Sequence, residues 1–139
     1  MIAGRGLLDT NTLILLRRID PTYLPEESVI SAVTLAELSV GPLVARSEDE
    51  RAIRQAQLQE AEASFEPLPF DVASARAFGR VSASLRRAGR TTSARAFDAL
   101  IAATAIAHGL TLHTCNAAAF AGIDGLTVVA VPHPGNSVG

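Results

Sequence analysis

The sequence predicts one α/β domain in which helices cover both faces of a central, mainly parallel sheet. The chain has 139 residues, enough for one buried core and too few for two. Short β-branched runs alternate with longer segments of helical pattern, as in parallel sheets whose strands are joined by helices. No repeat or linker divides the chain. We therefore predict a single domain over residues 1–139, with an ordered core at about 5–132 and a flexible tail at 133–139.

The individual elements follow from hydrophobic periodicity and from capping residues. In the first half we predict a strand at 6–9, a helix at 10–19, a loop marked by Asp20-Pro21 and Pro25, a strand at 29–33, a helix at 35–44 interrupted by Gly41-Pro42, a helix at 47–64 and an extended connection at 65–70. In the second half we predict a helix that Asp71 caps and Gly89 ends, a helix at 94–108 capped by Thr92 or Ser93, a strand at 111–115, a turn at 116–120 and a strand at 126–131.

The composition favours a globular protein of the cytoplasm. Hydrophobic residues make up 48% of the chain, but the apolar runs are much shorter than a membrane span. Residues 1–8 lack the features of a secretory signal. The single cysteine, Cys115, cannot form an internal disulfide, which suits a reducing compartment. We therefore expect a cytoplasmic protein that does not enter a membrane.

Basic charge is concentrated in one segment, although the net charge of the chain is −2. Every basic residue except histidine is arginine, and residues 72–97 contain no acid. A polyanion could bind along this segment, but a solvated helix face explains the same pattern. The arginines of the segment are Arg76, Arg80, Arg86, Arg87, Arg90 and Arg95.

Three carboxylates occupy positions that point to a shared site. Asp9 follows the first apolar strand, Glu37 lies in the first turn of the helix after the second strand, and Asp98 interrupts an apolar helix near its start. In open α/β sheets, sites form beyond the carboxyl ends of the strands, where the strand order reverses. Three anions that meet there need a cation, and hard divalent ions prefer oxygen ligands.

Each carboxylate also has a purely structural interpretation. Asp9 is a good helix cap. Thr34 and Glu37 match the capping-box pattern, which by itself explains a glutamate at this position. Asp98 is favoured by the helix dipole in a first turn. These interpretations leave unexplained why Asp98 stands between Phe97 and Leu100 on an apolar helix, where burial without a partner is costly.

Other chemistries are excluded by missing residues. The chain has no lysine, which argues against phosphoryl transfer through an aspartyl phosphate and against a Walker-type phosphate loop. The histidines and the single cysteine have no zinc-ligand spacing. Asp124 lies in a glycine-flanked turn, where a structural role is expected.

Four segments resemble the signature segments of PIN-domain ribonucleases, and most of all the VapC-type toxins of type II toxin–antitoxin pairs. The first three are Leu7–Asn11, Ser31–Leu38 and Phe97–Ala105, each of which contains one of the three acids. The fourth is Thr111–Asn116, with Phe120. They occur in the family's order, and the resemblance spans the chain from about Leu7 to Val131.

The resemblance implies a three-layer α/β/α fold and a Mg²⁺- or Mn²⁺-dependent endoribonuclease that hydrolyses RNA of the translation apparatus. It gives Asp9, Glu37 and Asp98 the catalytic and metal-binding roles. A supporting shell is implied at Thr10, Asn11, Thr114 and Asn116, and we expect RNA contacts at Arg86, Arg87, Arg90 and Arg95. It further implies a VapB-like antitoxin partner and a homodimer.

One departure from the family leaves an alternative open. Family members often carry a fourth acid in the last segment, where this chain has Asn116 and Ala119. A second metal would then be weakly held. The alternative is a catalytically weakened PIN domain that serves as an RNA- or protein-binding module.

Overall fold

The computed structural model describes residues 1–91 and 95–136, the side chain of Asn136 excepted. Within them the chain forms four strands and five α-helices joined by loops and short 3₁₀ turns. Their bounds are β1 Ile2–Leu8, α1 Thr10–Ile14, β2 Pro25–Val29, α2 Ala32–Val40, α3 Glu48–Ser64, α4 Val72–Arg87, α5 Ala96–Ala107, β3 Thr111–Thr114 and β4 Val128–Ala130. None of the helices in these ranges is long and apolar enough to cross a membrane.

The strands form one sheet in the order β2-β1-β3-β4, and every pairing in it is parallel. The chain proceeds from β1 to β2 on one side and returns on the other side of β1 to form β3. The strand order therefore reverses between β1 and β3, which places the expected crevice at the carboxyl ends of these two strands. The predicted parallel α/β architecture is confirmed.

The central strand β1 shows why helices must cover both faces. Consecutive strand residues point to opposite faces, and Leu7 and Leu8 are both fully buried. Leu7 belongs to the larger apolar cluster, which includes residues of α4 and α5. Leu8 belongs to a second cluster with residues of α2 and α3. A sheet buried on both faces in this way gives the three-layer architecture.

The helices with clear capping signals lie where they were predicted. Ser47 caps α3 by accepting a hydrogen bond from the Glu50 amide. Asp71 caps α4 through the Ser74 amide. Gly89, predicted to end α4, has a φ of 74°, a left-handed conformation that glycine adopts without strain. Local capping thus determined these boundaries.

The second strand was predicted at 29–33, but it lies closer to the N-terminus. The strand runs from Pro25 to Val29, and residues 32 and 33 already belong to α2. Proline is tolerated as the first residue of a strand, so Pro25 begins β2 instead of lying in a loop. Ser31 begins the helix because its hydroxyl accepts a hydrogen bond from the Thr34 amide.

Two other predicted helices were too long. The first ends at Ile14 instead of residue 19, and a 3₁₀ turn follows it. Leu15 and Leu16, in and beside this turn, pack in a small apolar cluster with Ile19 and Val131. The helix predicted at 35–44 ends at Val40, and Gly41–Val44 form a 3₁₀ turn.

Part of the prediction falls outside the described residues. The predicted caps of α5, Thr92 and Ser93, are not described, and the helix begins at Ala96 instead of residue 94. Residues 137–139 of the predicted tail are likewise not described. The extended connection at 65–70 is confirmed, since Leu68 forms an isolated parallel bridge with Ser31.

The sheet contains a tight contact between Gly6 of β1 and His113 of β3. A Cβ added to Gly6 would overlap the His113 ring and lie 2.9 Å from Pro25 Cβ. His113 is buried, at 2% exposure, and its Nδ1 has no hydrogen-bond partner in the part of the chain that the structure describes. The absence of a side chain at residue 6 therefore makes room for the imidazole between the strands.

We predict that Gly6→Ala destabilises the protein by about 1–3 kcal/mol, the usual cost of overpacking a core. Urea unfolding followed by circular dichroism measures the change. Gly79→Ala is the matched control, because a Cβ there meets no atom within 4 Å on the exposed face of α4. The control should be stabilising by about 0.5–1 kcal/mol. Equal midpoints for the two variants would contradict this packing.

We also predict that the buried ring makes folding sensitive to acid. Burial lowers the pKa of His113 below its ordinary value. Between the lowered pKa and about 6.5, the unfolded chain therefore binds the proton more readily than the folded chain. Stability from the neutral ring is present above about pH 6.5 and is lost as the pH falls, by at most about 1.4 kcal/mol per pH unit.

The measurement is urea unfolding between pH 7.5 and pH 5, with His113→Gln as reference. The variant should lose less stability than the parent protein over this interval, because its side chain cannot be protonated. Identical pH slopes would show that His113 does not contribute.

Candidate active site

The crevice between β1 and β3 is closed at its base by a hydrogen bond between side chains. Asp9 follows the last residue of β1, and Thr114 is the last residue of β3. The Thr114 hydroxyl donates to Asp9 Oδ2 over 2.8 Å, and both residues are buried. The bond joins residues that are 105 positions apart along the chain. The topology thus brings two of the predicted site residues together.

Asp9 caps a helix with one carboxylate oxygen and contacts another predicted site residue with the other. It is the cap of α1, because its Oδ1 accepts a hydrogen bond from the Thr12 amide. The structural interpretation of Asp9 is therefore correct for this oxygen. Its other oxygen faces β3 through Thr114. With 4% of its surface exposed, the carboxylate is held in one orientation by bonds on both oxygens.

Thr12 is a buried support that the sequence analysis missed. Its hydroxyl accepts a hydrogen bond from the Cys115 amide over 2.9 Å, and its own amide binds Asp9. The Asn116 amide in turn donates to the Thr114 hydroxyl. The available signal was that Thr12 directly precedes the apolar run Leu13–Leu16, where a hydroxyl is buried and needs a partner.

Glu37 lies in the second turn of α2, not in the first as predicted. The helix begins at Ala32 with Ser31 as its cap, so Glu37 is the sixth helical residue. A capping box would need the glutamate at the third position. The capping-box interpretation of Thr34 and Glu37 is therefore wrong. Glu37 Oε1 is buried without a hydrogen-bond partner among residues 1–91 and 95–136, an arrangement that costs folding free energy.

Thr34, also missed as a supporting residue, contacts the segment that contains Asp9. The Thr10 hydroxyl donates to Thr34 Oγ1 over 3.1 Å, and both side chains are buried. Thr10 is the first residue of α1 and Thr34 is in the first turn of α2. The starts of the two helices are therefore joined directly.

Asp98 is the third carboxylate and lies in the first turn of α5. Burial raises the pKa of Asp98, and the charges of Asp9 and Glu37 raise it further. The positive charges of Arg95 and Arg90 act in the opposite direction. Asp98 thus lies within electrostatic range of both other acids. All three carboxylates contribute to one negatively charged region.

The arginines predicted to contact RNA differ in their surroundings. Arg95 lies 3.9 Å from Asp98 in a weak ion pair. Arg90 donates to the Ala121 carbonyl over 2.7 Å. Arg87 binds Asp124 over 2.7 Å, so Asp124 has the structural role expected of it. Arg86 is exposed.

The remaining predicted residues lie at the surface of the site or in the core. Asn11 and Asn116 are exposed, and only the backbone of Asn116 joins the Thr114 network. Ala119 is buried in the large apolar cluster. Its position offers no acid near the carboxylates.

The donor set fits a hard divalent cation by its chemistry. It consists of carboxylate oxygens, one of which is buried without a partner, and their charges oppose one another. Over residues 1–91 and 95–136, however, no group of three or more His, Cys, Asp or Glu side chains is arranged so that it could hold a metal ion as it stands. The three carboxylates therefore interact electrostatically, but in the described residues they do not form a preassembled metal site.

Known proteins of one family are similar to this chain. The PIN domain family model matches residues 7–126. The chain is 38% identical to ribonuclease VapC5 of Mycobacterium tuberculosis over 129 residues, which covers 91% of this chain and 93% of that protein. It is 37% identical to ribonuclease VapC4 of the same organism over 117 residues, covering 82% and 88%.

A solved structure agrees with this sequence similarity. The crystal structure of VapBC-5, a member of the VapBC family of toxin–antitoxin systems from Mycobacterium tuberculosis, superposes with a TM-score of 0.78 at 36% identity. The match covers 91% of this chain and 98% of the other. The parallel sheet and these matches lead to one conclusion: the chain belongs to the PIN-domain family, in its VapC-type branch.

Proposed function

We propose that this chain is an endoribonuclease that hydrolyses RNA phosphodiester bonds with the help of Mg²⁺ or Mn²⁺. In this proposal it acts in the cytoplasm as the toxin of a toxin–antitoxin pair, and its substrate is RNA of the translation apparatus. The names of the relatives, ribonucleases VapC5 and VapC4, support the reaction class.

One observation carries the metal-dependent part of the proposal. Asp98 is destabilised as an anion by Asp9 and Glu37, although these residues come from three different helical segments. Roles as caps or surface charges do not explain why three acids that are distant along the chain repel one another in a partly buried region. A divalent cation compensates such charge directly.

The roles of the side chains follow from their surroundings. Asp9 and Asp98 would hold the metal, and Glu37 would complete the ligand set or accept the proton of the attacking water through its unpaired Oε1. When bound, the metal supplies Lewis-acid polarisation of the phosphoryl oxygen and stabilises the charge on the leaving oxygen. Thr114 would keep Asp9 oriented through the bond to Oδ2.

RNA would approach the acids across the arginine-bearing surface. Arg90 and Arg95 act electrostatically on Asp98 and therefore lie near the proposed reaction centre. Arg86 and Arg87 belong to the last turn of α4. Contacts of these four side chains with phosphates would orient the strand without reading its sequence.

An antitoxin of the VapB type is the proposed inhibitory partner. The solved relative is a member of the VapBC toxin–antitoxin family, and the chain matches almost the whole length of that structure. A homodimer is part of the same proposal.

We predict that Asp98→Asn abolishes Mn²⁺-dependent cleavage of total bacterial RNA. Without metal, the variant should be more heat-stable than the parent protein, since one of three repelling charges is removed. Added Mn²⁺ should raise the melting temperature of the parent protein and not that of the variant. Asp49→Asn is the control, because Asp49 is an exposed acid of the first turn of α3.

The mapping of new 5′ ends after incubation with and without Mn²⁺ is the decisive measurement. Undiminished cleavage by Asp98→Asn would refute the site assignment. If the parent protein shows RNA binding but neither saturable Mn²⁺ binding nor cleavage, the alternative is correct, and the chain is a binding module with a weakened site.

We further predict that RNA binding is strongly salt-dependent and that Arg86→Gln lowers the slope of log K against log salt by about 1. Arg46→Gln is the control, since Arg46 is an exposed arginine before α3. Filter binding with the cleavage-deficient Asp98→Asn background measures both. The same slope for both arginine variants would mean that Arg86 does not contact phosphate.

A further inference from the structure

A buried pair of hydroxyl groups connects two of the three acid-bearing segments. The Thr10 hydroxyl donates to Thr34 Oγ1 over 3.1 Å. Thr10 is 5% exposed and Thr34 is fully buried. Thr10 follows Asp9 directly in sequence, and Thr34 precedes Glu37 by three residues. Each hydroxyl is thus attached to the backbone that carries one of the two carboxylates.

Helix geometry makes this connection direct. Residues three apart on a helix lie on the same face, so Thr34 and Glu37 project to the same side of α2. Threonine is branched at Cβ, which restricts its side-chain rotation. A hydrogen bond between two such side chains therefore relates the backbone at Asp9 to the helix face that carries Glu37.

Apolar side chains also contact one another between these helices. Leu13 of α1 packs in the same cluster as Leu35 and Leu38 of α2. Apolar burial is not directional and tolerates small sliding movements of one helix on another, whereas a hydrogen bond weakens steeply with misalignment. Because α1 has five residues, its own length gives Asp9 little additional support.

We propose that Thr10 and Thr34 are positioning residues whose hydroxyl pair sets the spacing between the backbone segments that carry Asp9 and Glu37. This inference rests on the proposed metal-dependent function. The acids form no preassembled cage over residues 1–91 and 95–136. The Glu37 side chain, whose Oε1 has no partner among the described residues, must therefore reorient when an ion binds, and the hydroxyl pair keeps the backbone that carries it at a fixed distance from Asp9.

A purely structural role makes a different prediction from a positioning role. Replacement of one hydroxyl by a methyl group leaves the other buried without its partner, which destabilises the fold in either case. Replacement of both by groups of the same shape is nearly neutral for stability. The double variant Thr10→Val/Thr34→Val therefore separates the two roles, because it restores the packing without restoring the directional bond.

The experiment measures Mn²⁺ affinity by isothermal titration calorimetry without RNA, thermal stability without metal, and kcat and KM for RNA cleavage. We expect Thr10→Val and Thr34→Val to bind Mn²⁺ about 10-fold more weakly than the parent protein, as for other residues that orient metal ligands. The double variant should recover thermal stability but not Mn²⁺ affinity. Thr10→Ser and Thr34→Ser, which keep the hydroxyls, should bind Mn²⁺ like the parent protein.

Thr104→Val is the matched control. Thr104 is a fully buried threonine of α5 whose hydroxyl donates to the Leu100 carbonyl of its own helix over 2.9 Å. Loss of this hydroxyl should lower thermal stability without changing Mn²⁺ affinity, since its bond joins no second element.

Two outcomes overturn the inference, and they are distinguishable. Parent-like Mn²⁺ affinity in the valine variants, or an affinity that returns together with stability in the double variant, reduces the hydroxyl pair to a packing contact. Absence of Mn²⁺ binding and of cleavage in the parent protein overturns the proposed function itself, and the inference with it.

Discussion

The site depends on the placement of the Asp9 carboxylate at the point where the strand order reverses. One oxygen caps α1 through the Thr12 amide, and the other receives the Thr114 hydroxyl at the end of β3. Because β1 is paired on both sides and its last residues, Leu7 and Leu8, are buried on opposite faces, the residue that follows it has little freedom. The same two bonds that stabilise the helix start and the sheet edge therefore fix the orientation of the carboxylate.

The acids near Asp9 are in unfavourable surroundings. Glu37 has a buried oxygen without a partner, and the pKa of Asp98 is raised by burial and by two neighbouring charges. Each feature opposes folding. The two apolar clusters on either side of the sheet supply the stability that lets this concentration of charge persist. Unfavourable burial and charge repulsion of this kind are characteristic of sites at which a bound ligand compensates the charge.

Predictions that depend on neighbouring residues were more accurate than predictions that depend on contacts between residues distant along the chain. The cap at Asp71 and the end of α4 at Gly89 were predicted correctly, because both depend on neighbouring residues. The second strand was displaced towards Pro25, since β-branched residues at 29–33 fit a strand and a buried helix start equally well. The same ambiguity made Thr34 look like a helix cap, whereas Ser31 has that role. With the helix start corrected, the local explanation for Glu37 disappears.

By itself, the sequence determined the alternation of strands and helices, the parallel sheet with two covered faces, and the three acids in segments that resemble a known family. These features rest on periodicity and on short motifs, which are encoded in adjacent residues. The tertiary structure decided which groups touch: the bond between Thr114 and Asp9 across 105 positions, and the bond between Thr10 and Thr34 across 24. Such pairings depend on the strand order and on the packing of helices against the sheet. The position of a hydroxyl group in the sequence does not indicate which group it will contact in the folded protein.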